Sequence, residues 1–228
     1  MKHTIKVLSL LTLLFVSPLS SLAQNYVGVS FGYANQQVRQ HNNGDVNTFW
    51  NGIWVRENDN HLHGVHLGMP FFHHLGYGFE LDWGLNFGFY YTSNDEKQLT
   101  LAVDPEDAFS DYTEITFNLP IHFGYMAPLW ESSLYVGVHT GPGLTVPFYS
   151  NYSDDNNNYT ETGLFDIDGF NRWNITWDIG FFFFGGGRDN GVRLDFLWSR
   201  GLTKFYSSDS SDGYRNLFSV GLHILFNP

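Results

Sequence analysis

The residues of this 228-residue chain that could do chemistry are histidines, carboxylates and arginines, most of them at alternate positions inside apolar or glycine-rich stretches. Glu80 and Asp82 stand in GYGFELDWGLNFGFYY, Glu114 and His122 in YTEITFNLPIHFGY, and His139 in LYVGVHTGPGL. Asp178 stands in WNITWDIGFFFF with Arg172 just before it, Arg193 and Asp195 in GVRLDFLW, His66 in LHGVHLGM, and Arg215 and His223 in GYRNLFSVGLHILF. Imidazole beside carboxylate is the donor set of zinc sites and of general acid–base sites. Arginine beside carboxylate makes strong charge-assisted hydrogen bonds. All of these side chains fall on the face opposite the large apolar residues, so they point into an interior where charge must be paired or hydrated. The set is therefore expected to be a structural hydrogen-bonded network, with no catalytic residue, metal ligand or cofactor assigned.

Two other groups suggest metal at first sight. His61 and His63 lie at one end of a predicted strand, and His73 and His74 in the short turn expected at its other end, so one shared site fails on geometry. Asp95, Glu96, Asp104, Glu106, Asp107 and Asp111 crowd one polar stretch, and Asp154, Asp155, Glu161, Asp166 and Asp168 another. Such runs are usually solvated; on a lipopolysaccharide surface they could share Ca²⁺ or Mg²⁺ with sugar phosphates. GGGRDNG lacks the Lys-Ser/Thr of a phosphate loop and reads as a turn.

The elements that must position these residues follow from a period of two. From Tyr77 to Tyr91 the odd positions are all apolar or aromatic, whereas the even ones are small or polar apart from Tyr90. That alternation marks a β-strand with one wet and one apolar face. Its length suits a bilayer-crossing strand, with Tyr77 at one end and Tyr90 and Tyr91 at the other as interfacial aromatics. Seven further segments repeat the pattern. Their outward rows begin Val27, Val29, Phe31; Val65, Leu67, Met69; Ile115, Phe117, Leu119; Leu134, Val136, Val138; Trp173, Ile175, Trp177; Val192, Leu194, Phe196; and Phe218, Val220, Leu222. Long and short connections alternate, the short ones expected at Pro70–Leu75, Met126–Ser133 and Gly185–Gly191. The expected fold is all-β, an eight-stranded antiparallel transmembrane barrel with an up-and-down meander, short periplasmic turns and long extracellular loops. A soluble barrel would need polar outward rows. The aromatic segment Asn47–Glu57 sits uneasily in the first long loop and is left as a hairpin above the membrane or a contact patch.

Aromatics make up 18% of residues, Gly numbers 24 and Cys is absent, which suits aromatic girdles around a small-residue interior and excludes disulfides and Cys–zinc sites. Net charge is −12, falling to −14 without Lys2 and Lys6, and basic runs are lacking, which argues against nucleic-acid partners. The basic start, the apolar core Val7–Val16 and the small residues Ser21 and Ala23 read as a secretory signal over residues 1–23, cleaved between Ala23 and Gln24. The barrel domain would then occupy 24–228, with both termini periplasmic. Ser219, Gly221, Ile224 and Phe226 fit the polar–x–Gly–x–x–apolar–x–apolar pattern resembling the signal read by the outer-membrane assembly machinery, here followed by Asn227 and Pro228.

The order of ITFNLPIHFGY, LYVGVHTGPGL, WDIGFFFFGGG and VRLDFLWSRGLTKFY, over roughly Gln24–Pro228, resembles the PorT-like outer-membrane β-barrel domain family of Gram-negative bacteria. A basic residue that the family usually carries near the end of the Leu-Pro strand is replaced here by Gly124-Tyr125. The resemblance implies the barrel and its place in the outer membrane. Expected partners are outer-membrane lipid, lipopolysaccharide, the assembly machinery during insertion and an unidentified envelope protein. The expected role is a non-enzymatic structural or binding component. One family member is linked to a secretion and gliding apparatus, so a secretion-complex subunit or narrow pore is an alternative. A lipid deacylase or protease is another, and needs a carboxylate/His/Ser cluster at one rim.

Overall fold

The computed structural model describes residues 24–42, 61–93, 111–129, 133–153, 158–162, 173–187, 189–204, 206–207 and 211–228. Ala23 with the rest of the expected signal, the Asn47–Glu57 segment and Arg172 lie outside the described residues. The strands are β1 (Gln24–Asn42), β2 (His61–Gly76), β3 (Phe79–Ser93), β4 (Asp111–Pro128), β5 (Leu134–Ser153), β6 (Asn158–Thr162), β7 (Asn174–Gly186), β8 (Asn190–Gly201), β9 (Tyr206–Ser207) and β10 (Ser211–Phe226). Eight of them, in the order β1-β2-β3-β4-β5-β7-β8-β10, form an antiparallel meander that closes on itself through β1–β10 pairing. That seam runs without a register shift from Val27 opposite Phe226 to Asn42 opposite Ser211. Closure leaves no open sheet edge around the wall, which is what a spanning sheet requires where no water can satisfy backbone groups. Short β6 lies on β5 and β9 on β10, both at the end with the long connections.

Side chains alternate along each wall strand. In β7, Ile175, Trp177, Ile179 and Phe181 are exposed while Asn174, Thr176, Asp178, Gly180 and Phe182 between them are buried. The exposed row continues around the barrel through Val65, Leu67, Phe87, Phe123, Val138 and Ile224. Leu67 is 60% exposed and Phe123 60%, whereas the lumen residue Glu114 is 0% exposed, the inverse of a water-soluble protein. Neighbouring outward aromatics stack across strands, Phe181 on Phe196 with centroids 4.6 Å apart and Phe71 on Trp83 at 4.2 Å. A closed barrel with a continuous apolar outer band is a barrel built for the bilayer.

The strands outrun the expected ones. The turn between β2 and β3 is not Pro70–Leu75, which is strand, but the tight Tyr77-Gly78 pair. Gly76 (φ 93°) and Gly78 (φ 84°) take the left-handed backbone there, and Tyr77 joins them at φ 53°. Tyr77 is thus a fully exposed turn tip and not a girdle residue. Tyr90 is corrected too: it is 2% exposed and faces the lumen. His73 and His74 belong to β2, where His73 bonds Asn25 and Trp83 while His74 packs against Tyr26 and Phe184. Gly78 lies in the turn instead of the inner wall, and β5 continues through Pro147 to Ser153. Pairing extends past the apolar band because backbone hydrogen bonds form equally well where side chains turn polar.

Leu67→Arg places a charge in the middle of the outer band. Equilibrium urea unfolding from lipid vesicles should show a loss of about 2–4 kcal/mol; an unchanged midpoint would mean that this face meets water.

Candidate functional site in the barrel lumen

Every wall strand turns alternate residues inward, and an eight-stranded barrel has room only for side chains. Several of the large inward residues therefore lie beside a glycine on the adjacent strand. Phe182 is paired with Gly137, Glu80 with Gly124, His139 with Gly180, and His66 with both Gly32 and Gly88. At Gly124 an added Cβ would come within 2.7 Å of Glu80 Oε1, and at Gly143 within 2.7 Å of Asp178 Oδ2. At Gly180 it would collide with the His139 ring.

The end with the short turns is filled by Tyr26, Phe72, Phe182, Phe184 and Leu225, with Met126 and Tyr135 against them. Tyr26 donates its hydroxyl hydrogen to the Gly187 carbonyl at 2.7 Å, tying this plug to the β7–β8 turn.

Directly inside the plug sits Arg193, 1% exposed. β8 and β3 lie half the circuit apart, so its guanidinium spans the lumen. Arg193 donates to Glu80 Oε1 at 2.8 Å, to Asp82 Oδ2 at 3.1 Å and, through Nε, to Asp195 Oδ2 at 3.0 Å. Its flat face lies 3.6 Å from the Phe182 centroid and 4.5 Å from that of Phe72, a cation–π sandwich in a desolvated place. This fork of donors on planar acceptors is geometry that lysine cannot reproduce.

The carboxylates pass the network on to two imidazoles. Asp82 Oδ1 lies 2.9 Å from His122 Nδ1, and Asp82 Oδ2 3.2 Å from His139 Nδ1. The other nitrogens meet carboxylates as well, His122 Nε2 with Asp178 at 2.9 Å and His139 Nε2 with Asp195 at 3.0 Å. Thr176 donates to Asp178 Oδ1 at 2.8 Å. The rings of His122 and His139 stand edge to face, centroids 4.6 Å apart. His223 is more distant, 3.9 Å from Asp195, and together with His66 it lines a cavity of about 100 Å³ beside the cluster.

Nearer the long-loop end a second pair crosses the lumen. Arg215 of β10 donates to both carboxylate oxygens of Glu114 of β4, at 2.6 and 2.7 Å, again from strands half the circuit apart. Glu80, Asp82, Glu114, Asp178, Asp195, Arg193, Arg215, His66, His122, His139 and His223 thus all lie in the lumen, the first cluster uniting most of them and Arg215–Glu114 standing apart. His63 faces outward at the far end of β2, bonded to Tyr33 at 2.6 Å. Ser219 and Gly221 are buried, and Ile224 and Phe226 face outward. Missing from the sequence reading were Phe72, Phe182 and Thr176 as members of the cluster. For Phe182 and Thr176 the available signal was the glycine across from each, Gly137 and Gly143, whereas Phe72 lies across from Tyr26 and Asp82.

Removing one partner from a buried ion cluster strands the others. Arg193→Met should cost about 3–5 kcal/mol in urea unfolding, with Arg193→Met/Glu80→Gln recovering part of the loss; equal losses in the two would refute coupling between Arg193 and Glu80.

The sequence matches no family model and no curated protein. Among solved structures the chain is similar to Neisserial surface protein A, at 7% identity over 89% of this chain and 97% of that one, with a TM-score of 0.49. It is similar as well to Ail, the attachment invasion locus protein of Yersinia pestis, at 12% identity, 89% and 99% coverage and a TM-score of 0.45. A third, outer membrane protein AlkL in lipid bilayers, shares 14% identity over 89% of each chain, with a TM-score of 0.39.

Proposed function

We propose that this chain is an integral outer-membrane barrel that acts as a non-enzymatic structural or binding component of the envelope, not as a conduit. The observation that carries the reading is the filled lumen: the plug of Tyr26, Phe72, Phe182, Phe184 and Leu225 at one level and the Arg215–Glu114 clamp at another. An interior occupied in this way offers no continuous water path, so function falls to the surfaces at the ends. The carboxylate–histidine cluster is buried in the lumen and not displayed at a rim, which favours this role over a lipid deacylase or protease.

In the same reading, a signal ending at Ala23 directs export and the mature chain starts at Gln24. The assembly machinery recognises Ser219, Gly221, Ile224 and Phe226. Both termini and the short turns face the periplasm. The long connections, rich in Asp and Glu, then face lipopolysaccharide, where shared divalent cations or an envelope protein would hold them. The PorT-like likeness rests on sequence motifs, and a secretion-complex subunit is the reading that it adds.

Planar bilayers containing the purified barrel test the proposal. The native protein should give no stable conductance steps, while a Phe72→Ala/Phe182→Ala/Arg215→Ala variant that still shifts on an unboiled gel should conduct. Steady channels from the native protein would overturn the closed-lumen reading.

A further inference from the structure

Asp82, His122 and His139 form an arrangement that neutral imidazoles hydrogen-bonded within the lumen do not by themselves explain. Each imidazole has its Nε2 against a carboxylate, Asp178 for His122 and Asp195 for His139, so each Nε2–H is the natural donor there. That tautomer turns both Nδ1 lone pairs toward the two oxygens of Asp82, at 2.9 and 3.2 Å. Lone pairs face lone pairs at that distance only when positive charge, a proton or a metal ion, lies between them. Neighbouring charges add to the demand. Glu80, Asp82 and Asp195 meet Arg193, the one permanent cation among these groups, and Asp178 adds a fourth carboxylate through His122, which leaves surplus negative charge in a desolvated place.

From this geometry we propose that Asp82, His122 and His139 bind a divalent transition cation of the Zn²⁺ class in the lumen. One ligand atom from each lies within 4.8 Å of the others. Bonds of about 2.0–2.2 Å to nitrogen and oxygen imply ligand-to-ligand edges of about 3.3 Å in a tetrahedron, close to the spacings that Asp82 already holds to the two rings. Two nitrogens and one oxygen select Zn²⁺ over Ca²⁺ or Mg²⁺, which take oxygen shells. Asp178 and Asp195 are the second-shell carboxylates that orient metal-bound imidazoles and raise their basicity. The cavity lined by His66, Asp82, His122, His139 and His223 supplies room for water to complete the coordination. His223 Nδ1, buried with no partner among the described residues, is a group that such water would satisfy. Arg193 Nη2, 3.4 Å from His139 Nδ1 and 3.1 Å from Asp82 Oδ2, opposes a cation there, and the surrounding carboxylates outnumber it.

The site rests on side chains inside the wall, so its test does not depend on what the barrel does at its surface. The full mature chain is refolded into detergent micelles with Zn²⁺ supplied during refolding, dialysed, and its metal content measured on protein that shows the unboiled gel shift. One Zn²⁺ per chain is expected. His122→Gln/His139→Gln should lower affinity at least 100-fold, Asp178→Asn about 10–100-fold, and His73→Ala/His74→Ala not at all. Folded native barrel without bound Zn²⁺, or retention of native affinity by His122→Gln/His139→Gln, overturns the proposal. Should that variant fail to fold, X-ray absorption on the native Zn²⁺ form decides: two imidazole scatterers support the site, and an all-oxygen shell refutes it. A pore detected in bilayers would leave these outcomes unchanged, which separates failure of this site from failure of the closed-lumen reading.

Discussion

The structure depends on a guanidinium that has nowhere to go. Arg193 is walled in by Phe182 and Phe72 and reached by Glu80, Asp82 and Asp195, and its charge persists at any accessible pH. Once such a cation is buried, carboxylates must surround it, and once those are buried, their remaining oxygens need donors of their own. His122, His139 and Thr176 meet that need at Asp178 and Asp195. The cluster is thus a chain of obligations running across the lumen, which fixes β3, β4, β5, β7 and β8 relative to one another. Deleting any member is costly because the next is left desolvated.

Width is the second constraint. The circumference of eight strands leaves an interior that one layer of side chains fills, so a long residue on one strand requires a short one on its neighbour. Glycines across from Glu80, His139 and Phe182 meet this requirement, and they do so in register, because a shift by one residue would turn each strand's polar row into the lipid. The same alternation that holds the outer band apolar therefore also places glycine beside these three bulky inward groups. Arg193–Glu80 and Arg215–Glu114, each across a diameter, brace the cylinder at two heights.

What the sequence by itself determined is whatever depends on period and sign. Alternation in β7 and β3 identified strands, and the apolar nature of the outward row assigned lipid to one face and charge to the other, because neighbours two apart must share a face whatever the fold. The inward placement of Asp82, His122 and Asp195 followed from the same rule. The limits of the strands did not. Pro70–Leu75 reads as a turn by composition but lies in β2, since Pro70 and its neighbours fit a strand whose flanking ladders close on either side. Tyr90 reads as an interfacial aromatic but points inward, because position parity outranks residue type.

Only the tertiary structure decided who meets whom. Arg193 and Glu80 are 113 residues apart in sequence and share no local pattern. They touch because closure of β1 on β10 puts β8 opposite β3 at a particular stagger. Nothing in the sequence distinguishes the inward row of His and Asp that forms one cluster from the equally inward Glu114 that pairs with Arg215 instead. The stagger of a closed sheet is set by all its ladders at once, so the depth of a side chain in the lumen, and with it every partner across the diameter, is a property of the closed circuit and not of any one strand.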